Sequence, residues 1–126
     1  MAKKILIVDD DVDFVEAIKT LLETKNYEVF SAENGMEGFN QAKNNKPDLI
    51  ILDVMMATKT EGFDIARKLQ KESSTKGTPV IMITGIRKEM SLPFGFEPNE
   101  DFLPVKAVLE KPIKPEILLK KIEESI

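Results

Sequence analysis

Four short apolar runs, each closed by a polar residue, constrain this chain more than anything else in it. Leu49-Ile50-Ile51-Leu52 ends in Asp53, and Ile5-Leu6-Ile7-Val8 ends in Asp9-Asp10-Asp11. Val80-Ile81-Met82-Ile83 ends in Thr84, and Ala107-Val108-Leu109, followed by Glu110, leads into Lys111-Pro112. Runs of this length, rich in branched aliphatic residues and opened by turn signals such as Lys46-Pro47-Asp48, read as strands buried on both faces. The segments between them carry helical spacing. Strands alternating with helices at these lengths predict a three-layer α/β/α sandwich on a parallel sheet with right-handed crossovers, five strands and five helices in all. In such a sheet, ligands gather outside the carboxyl ends of the strands. Three carboxylates, a hydroxyl and an ammonium then converge on one edge.

Taken in order, the first strand spans about Lys4 to Val8, and Val12, Val15, Ile18 and Leu22 recur behind it at helical spacing. Asp11 suits the cap of that helix, and Asp13 suits the positive end of its dipole. Tyr27 to Ala32 mixes polar and apolar residues and reads as an edge strand. Asn34-Gly35 marks a turn before a helix over Met36 to Lys43, interrupted by Gly38. A third helix, Gly62 to Glu72, offers Ile65, Ala66 and Leu69 to the core, and Ser73 to Gly77 is polar and flexible in composition. The fourth strand covers Thr78 to Ile83, with Pro79 at its beginning. Gly85 to Lys106 departs from the pattern: Pro93, Pro98, Pro104 and Gly95 surround Phe94, Phe96 and Phe102, leaving room for a short helix near Ile86 to Ser91. The three phenylalanines are expected to pack over the core. The last helix starts at Pro115, a residue suited to a first turn, and uses Leu118, Ile122 and Ile126 for the core.

Composition narrows the functions open to such a chain. At 126 residues it reads as one domain, residues 1–126, large enough for a core and too small for a separate output module. Any signal is expected to leave through its own surface. The net charge of −4 and the lack of a basic stripe argue against nucleic acid or anionic membrane as a ligand. The absence of cysteine excludes disulfides and thiol chemistry, and the absence of histidine removes the usual general base and nitrogen metal ligand. The opening Met1-Ala2-Lys3-Lys4 precedes only four apolar residues, too few for a signal peptide or membrane span, so a cytoplasmic location is expected.

Carboxylates crowded on one edge repel one another, by about 4 kcal/mol for a pair at 4 Å in an effective dielectric of 20. Either some are protonated or a cation shares the site. All-oxygen ligation selects a hard divalent ion, and Mg²⁺ fits because it keeps waters and recruits phosphate oxygens. With Lys111 as a second positive charge and Thr84 as a hydroxyl donor, these groups can hold a dianionic phosphoryl group and leave Asp53 as its nucleophile. Each of Asp9, Asp10 and Asp11 taken alone reads equally as a helix cap. A calcium-loop reading of Asp9, Asp11 and Asp13 fails, because Phe14 stands where Gly is needed and Thr20 where Glu is needed.

Ile-Leu-Ile-Val-Asp-Asp at 5–10, Ile-Leu-Asp-Val-Met-Met at 51–56, Thr84 with Gly85, and Lys111-Pro112 together resemble the receiver domains of two-component response regulators, of the chemotaxis-receiver type. The resemblance runs from Lys4 to the last helix. It implies flavodoxin-like strand order 2-1-3-4-5, with the fourth-helix region irregular here. It also implies that Asp53 accepts a phosphoryl group from a histidine kinase, a phosphotransfer protein or a small acyl phosphate. Asp9, Asp10, Asp53 and the backbone carbonyl of Met55 would hold Mg²⁺. Lys111 would contact the phosphoryl group, Thr84 would move toward it, and the Lys111-Pro112 bond would be cis. A downstream protein would read the switched state, and the chain would not be a classical enzyme.

Three departures from the family pattern bear on output. Ala57 stands where the family usually has Pro, with Gly62 one residue late. Val108 replaces the Tyr or Phe that swings inward when the threonine moves. The 85–106 segment is longer and richer in Pro than usual. The expected consequence is that output conformation differs there even with phosphorylation chemistry intact.

Two competing readings remain at this point. One is an adaptor of the same fold that binds a partner without being phosphorylated. The other is an aspartate-nucleophile phosphatase of the haloacid-dehalogenase type, with Asp9 as nucleophile and Asp11 as acid. The latter needs an acidic pair after the lysine at a strand end, and Glu123-Glu124 belong to the last helix.

Overall fold

The computed structural model describes residues 2–53, 61–84, 107–110 and 113–126. Five strands form one parallel sheet: β1 (Lys4–Val8), β2 (Glu28–Ala32), β3 (Leu49–Asp53), β4 (Val80–Thr84) and β5 (Ala107–Glu110). Their order is β2-β1-β3-β4-β5, the flavodoxin-like order expected from the sequence. The described helices are α1 (Val12–Glu23), α2 (Gly35–Asn45), α3 (Glu61–Lys71) and α4 (Pro115–Ser125). The expectations for Ile86 to Ser91 and for Phe94, Phe96 and Phe102 fall outside the described residues.

The period of two along each strand divides the core into two layers. Ile5, Ile7, Leu49, Ile51, Ile81 and Ile83 face α1 and α4, where Val15, Ile18, Leu22, Leu118 and Ile122 meet them. Leu6, Val8, Ile50, Leu52, Val80 and Met82 face α2 and α3, against Ala42, Ile65, Ala66 and Leu69. Every residue from Ile5 to Val8 and from Leu49 to Leu52 is at most 1% exposed. Continuous apolar runs are what strands covered on both sides require. β2, paired on one side only, keeps Glu28 and Ser31 exposed, as expected of an edge strand.

Helix ends follow local chemistry. The side chain of Asp11 accepts from the Phe14 N–H and caps α1, and that of Asn34 accepts from the Glu37 N–H and caps α2. Pro115 opens α4, where a missing N–H is no loss. Gly38 does not interrupt α2, which runs on to Asn45. Its lack of a side chain is a packing requirement, because a Cβ there would lie 2.7 Å from Val8 Cγ2.

Several expectations are corrected. Ile126 is 39% exposed and does not serve the core, and Val12, though on the same helical spacing as Val15, Ile18 and Leu22, is 58% exposed. Both lie at helix ends, where the helical period continues past the edge of the sheet. The Ser73 to Gly77 stretch is more ordered than its composition suggests. Thr75 is buried, and its Oγ1 donates to Leu69 O at 2.7 Å, satisfying a carbonyl at the end of α3.

Candidate functional site

The register of β1 and β3 builds the site. Val8 pairs with Leu52, so the next residue on each strand, Asp9 and Asp53, emerges at the same level of the sheet's carboxyl edge. Asp10 follows directly. One carboxylate oxygen from each of Asp9, Asp10 and Asp53 lies within 4.8 Å of the others. Asp9 and Asp53 are 2% and 5% exposed, and Asp10 is exposed.

The three consecutive aspartates take different tasks. Asp11 turns away to cap α1, its Oδ1 accepting from the Phe14 N–H at 3.2 Å. Its own N–H donates to Asp9 Oδ1 at 2.9 Å, which orients the Asp9 carboxylate, while the Asp9 N–H donates to Ala32 O at 3.0 Å. Asp11 therefore caps the helix, while the carboxylates of Asp9 and Asp10 lie with that of Asp53.

Of the other residues singled out from the sequence, the backbone of Thr84 ends β4, next to β3. There Asp53 pairs with Ile83, and Thr84 itself pairs with Glu110 of β5. Lys111 follows Glu110 in the sequence and, with Met55, lies outside the described residues. Val108 pairs with Met82 in the backbone register.

At 4.8 Å, two ionised carboxylates repel by ~3 kcal/mol in an effective dielectric of 20. A divalent cation among them turns that repulsion into attraction. The donor set is entirely oxygen, in a chain with no histidine and no cysteine, so it fits a hard cation and not a soft one.

Sequence reasoning did not single out the cleft beside this cluster. It is bordered by Asp9 together with Glu16, Ser31 and Glu33. No local motif marks it, because it exists only where the ends of β1 and β2 meet α1.

The family model of the response regulator receiver domain matches residues 5–123. The chain belongs to that family. As a receiver domain it is 34% identical over 119 residues to Protein PilH of Pseudomonas aeruginosa, covering 94% of this chain and 93% of PilH. It is 36% identical over 101 residues to the alkaline phosphatase synthesis transcriptional regulatory protein PhoP of Bacillus subtilis, covering 80% of this chain. The chain spans only 41% of PhoP's length. Among solved structures, the chemotaxis response regulator CheY4 of Vibrio cholerae superimposes with a TM-score of 0.85 at 28% identity, over the whole of both chains. A CheY-like receiver domain from Methanospirillum hungatei gives 0.82 at 33% identity, covering 98% of this chain and 93% of that one.

Receiver domains are signalling modules of two-component systems, not classical enzymes, and their signalling depends on phosphorylation. They bind Mg²⁺ at an acidic pocket and interact with histidine kinases or phosphotransfer proteins and with downstream targets. Among the described residues, no helix is long and apolar enough to cross a membrane.

Proposed function

We propose that this receiver domain accepts a phosphoryl group on Asp53 from the phosphohistidine of a histidine kinase or phosphotransfer protein. It then passes the signal by protein–protein contact to a downstream protein, in the cytoplasm. The observation that carries this reading is the convergence of the Asp9, Asp10 and Asp53 carboxylates at the carboxyl edge of the sheet. We take residues 1–126 as one receiver unit.

Asp9, Asp10, Asp53 and the backbone carbonyl of Met55 would hold Mg²⁺. The bound ion would offset the carboxylates and draw in a phosphate oxygen. An Asp53 oxygen forms the new P–O bond as the donor's P–N bond breaks, and the released imidazole takes a proton from solvent. Lys111 neutralises a phosphoryl oxygen, and Thr84 donates its hydroxyl to another. Burial of Asp53 suits this role, since electrostatic stabilisation is stronger where water is excluded. Asp9 contributes orientation: the N–H of Asp11 fixes its carboxylate, and its own backbone is tied to β2.

The test is intact-protein mass after incubation with acetyl phosphate, with Mg²⁺ or with chelator. We expect a Mg²⁺-dependent gain of one phosphoryl group that Asp53→Asn abolishes. Val108, in place of the family's usual aromatic residue, favours a second reading, an adaptor that works without phosphorylation. No gain in folded protein that binds Mg²⁺, with a phosphorylated histidine kinase tried as well, would replace the first reading by the second.

A further inference from the structure

Beside the aspartate cluster, on its β2 side, lies a cleft of about 100 Å³. Val12, Val15 and Ala32 form its apolar part, Asp9, Glu16 and Glu33 add carboxylates, and Ser31 adds a hydroxyl. Glu16, Ser31 and Glu33 are exposed, and Val12 is 58% exposed although it is a β-branched hydrophobe at the start of α1. From this juxtaposition we infer that the cleft is a docking notch for one lysine or arginine side chain of a partner protein. The side chain's stem lies along Val12, Val15 and Ala32, and its charged head reaches Glu16 and Glu33.

Size and charge select this occupant. The volume falls well below the roughly 300–1,000 Å³ of a small-molecule pocket, which leaves room for a single side chain. Three carboxylates, those of Asp9, Glu16 and Glu33, repel phosphates and nucleotides. A bare metal ion is also disfavoured, since the group of described carboxylates close enough to share one is Asp9, Asp10 and Asp53, without Glu16 or Glu33. Lys and Arg combine an apolar stem with a charged head, which is the pattern this notch presents in complement.

The wider surface agrees with the notch. Residues 8–18 carry five carboxylates, all but Asp9 exposed, and residues 30–42 two, with no lysine or arginine in either stretch. A basic partner is drawn to this end of the molecule, and the notch gives it a register. The exposed Val12 extends the contact beyond one side chain, which favours a protein segment over a free amine. The inference stands apart from phosphorylation of Asp53 and does not need it.

The test is an amide-resolved NMR titration of the full chain, saturated with Mg²⁺ so that the aspartate cluster is occupied. The probes are N-acetyl-arginine amide, its neutral counterpart N-acetyl-norleucine amide, and the peptide acetyl-Ala-Arg-Leu-Ala-amide. We expect the arginine probes, and not norleucine, to shift Val12, Glu16, Ser31 and Glu33, with the peptide binding more tightly than the amino-acid amide. Glu16→Gln and Glu33→Gln should each weaken binding by about threefold to fivefold, the scale of one exposed ion pair. Ser31→Phe, which fills the notch without changing charge, should abolish it. If Ser31→Phe does not fold, the two Gln variants decide. Shifts spread evenly over all exposed carboxylates, Gln variants that titrate like the native chain, or equal response to norleucine would overturn the notch. Equal affinity for peptide and amino-acid amide would overturn its assignment to a protein partner.

Discussion

The two ends of the same pair of strands treat charge in opposite ways. At the amino end of β1 and β3, the Lys4 N–H donates to Asp48 Oδ2 at 2.7 Å, and the Asp48 N–H returns a bond to Lys4 O at 2.7 Å. Lys4 Nζ reaches Asn45 O at 3.5 Å, and the Glu28 N–H ties β2 to Lys3 O at 2.9 Å. Donors meet acceptors there, and a lone carboxylate locks two strand starts together. At the carboxyl end, Asp9, Asp10 and Asp53 bring like charges within 4.8 Å. Between the two ends the strands are equally apolar and equally buried. The difference therefore comes from the terminal residues alone. One end pairs complementary groups across two strands, and the other gathers three carboxylates whose mutual repulsion a bound cation would offset.

Removing a carboxylate from each end sharpens this contrast. The larger effect belongs to the amino end. Asp48→Ala leaves the Lys4 N–H without its side-chain acceptor in a partly buried place, and we expect a loss of about 1–2 kcal/mol in urea unfolding. Asp53→Asn should move the other way. In chelator, it relieves repulsion within the cluster and should stabilise the fold by on the order of 1 kcal/mol, less than the pair estimate because Asp10 is exposed to water. The same variant should lose most of the rise in melting temperature that saturating Mg²⁺ gives the native chain, since a ligand stabilises only what it binds. If both substitutions destabilised alike, the two ends would not differ in kind.

Much of this contrast was readable in the sequence, and its limits have physical causes. The strand bodies announce themselves because double burial demands unbroken apolar runs, and Asp53 stands out as the abrupt end of one. The edge position of β2 shows in its mixed composition. The roles of Asp9, Asp10 and Asp11 did not separate, because capping and ligation use the same side chain and only the turn after β1 decides which oxygen faces where. Asp48 read as a turn residue. Its bonds to Lys4 span 44 positions and depend on β1 lying beside β3. Thr75 looked like part of a flexible polar stretch, since nothing local marks its hydroxyl as the partner of Leu69 O. Long-range pairing, invisible to spacing rules, accounts for Asp48, whereas the aspartates and Thr75 are decided by turn geometry within six residues, which composition does not specify.

The smallest effect tests the amino end by making it resemble the carboxyl end. Tyr27, just before β2, packs against the layer beneath α1 and α4, and burial, followed by the negative charge of Glu123, raises its pKa above the usual 10.0. A raised pKa means that the folded chain holds this proton more tightly than the unfolded chain does. The resulting stability is fully present below the unfolded value, near pH 10, and is lost as pH rises through the higher folded value. Ionising Tyr27 would set a phenolate against Glu123, two like charges where the structure otherwise pairs donors with acceptors. Tyr27→Phe cannot ionise, so it should match the native chain within a few tenths of a kcal/mol near pH 8 and lose less stability than the native chain toward about pH 11. The variant differs from the native chain at this one phenol, so the difference between the two urea midpoints isolates Tyr27. A native chain and a variant that decline in parallel would show that the amino end tolerates like charge as readily as the aspartate cluster, and would remove the basis for treating the two ends as different.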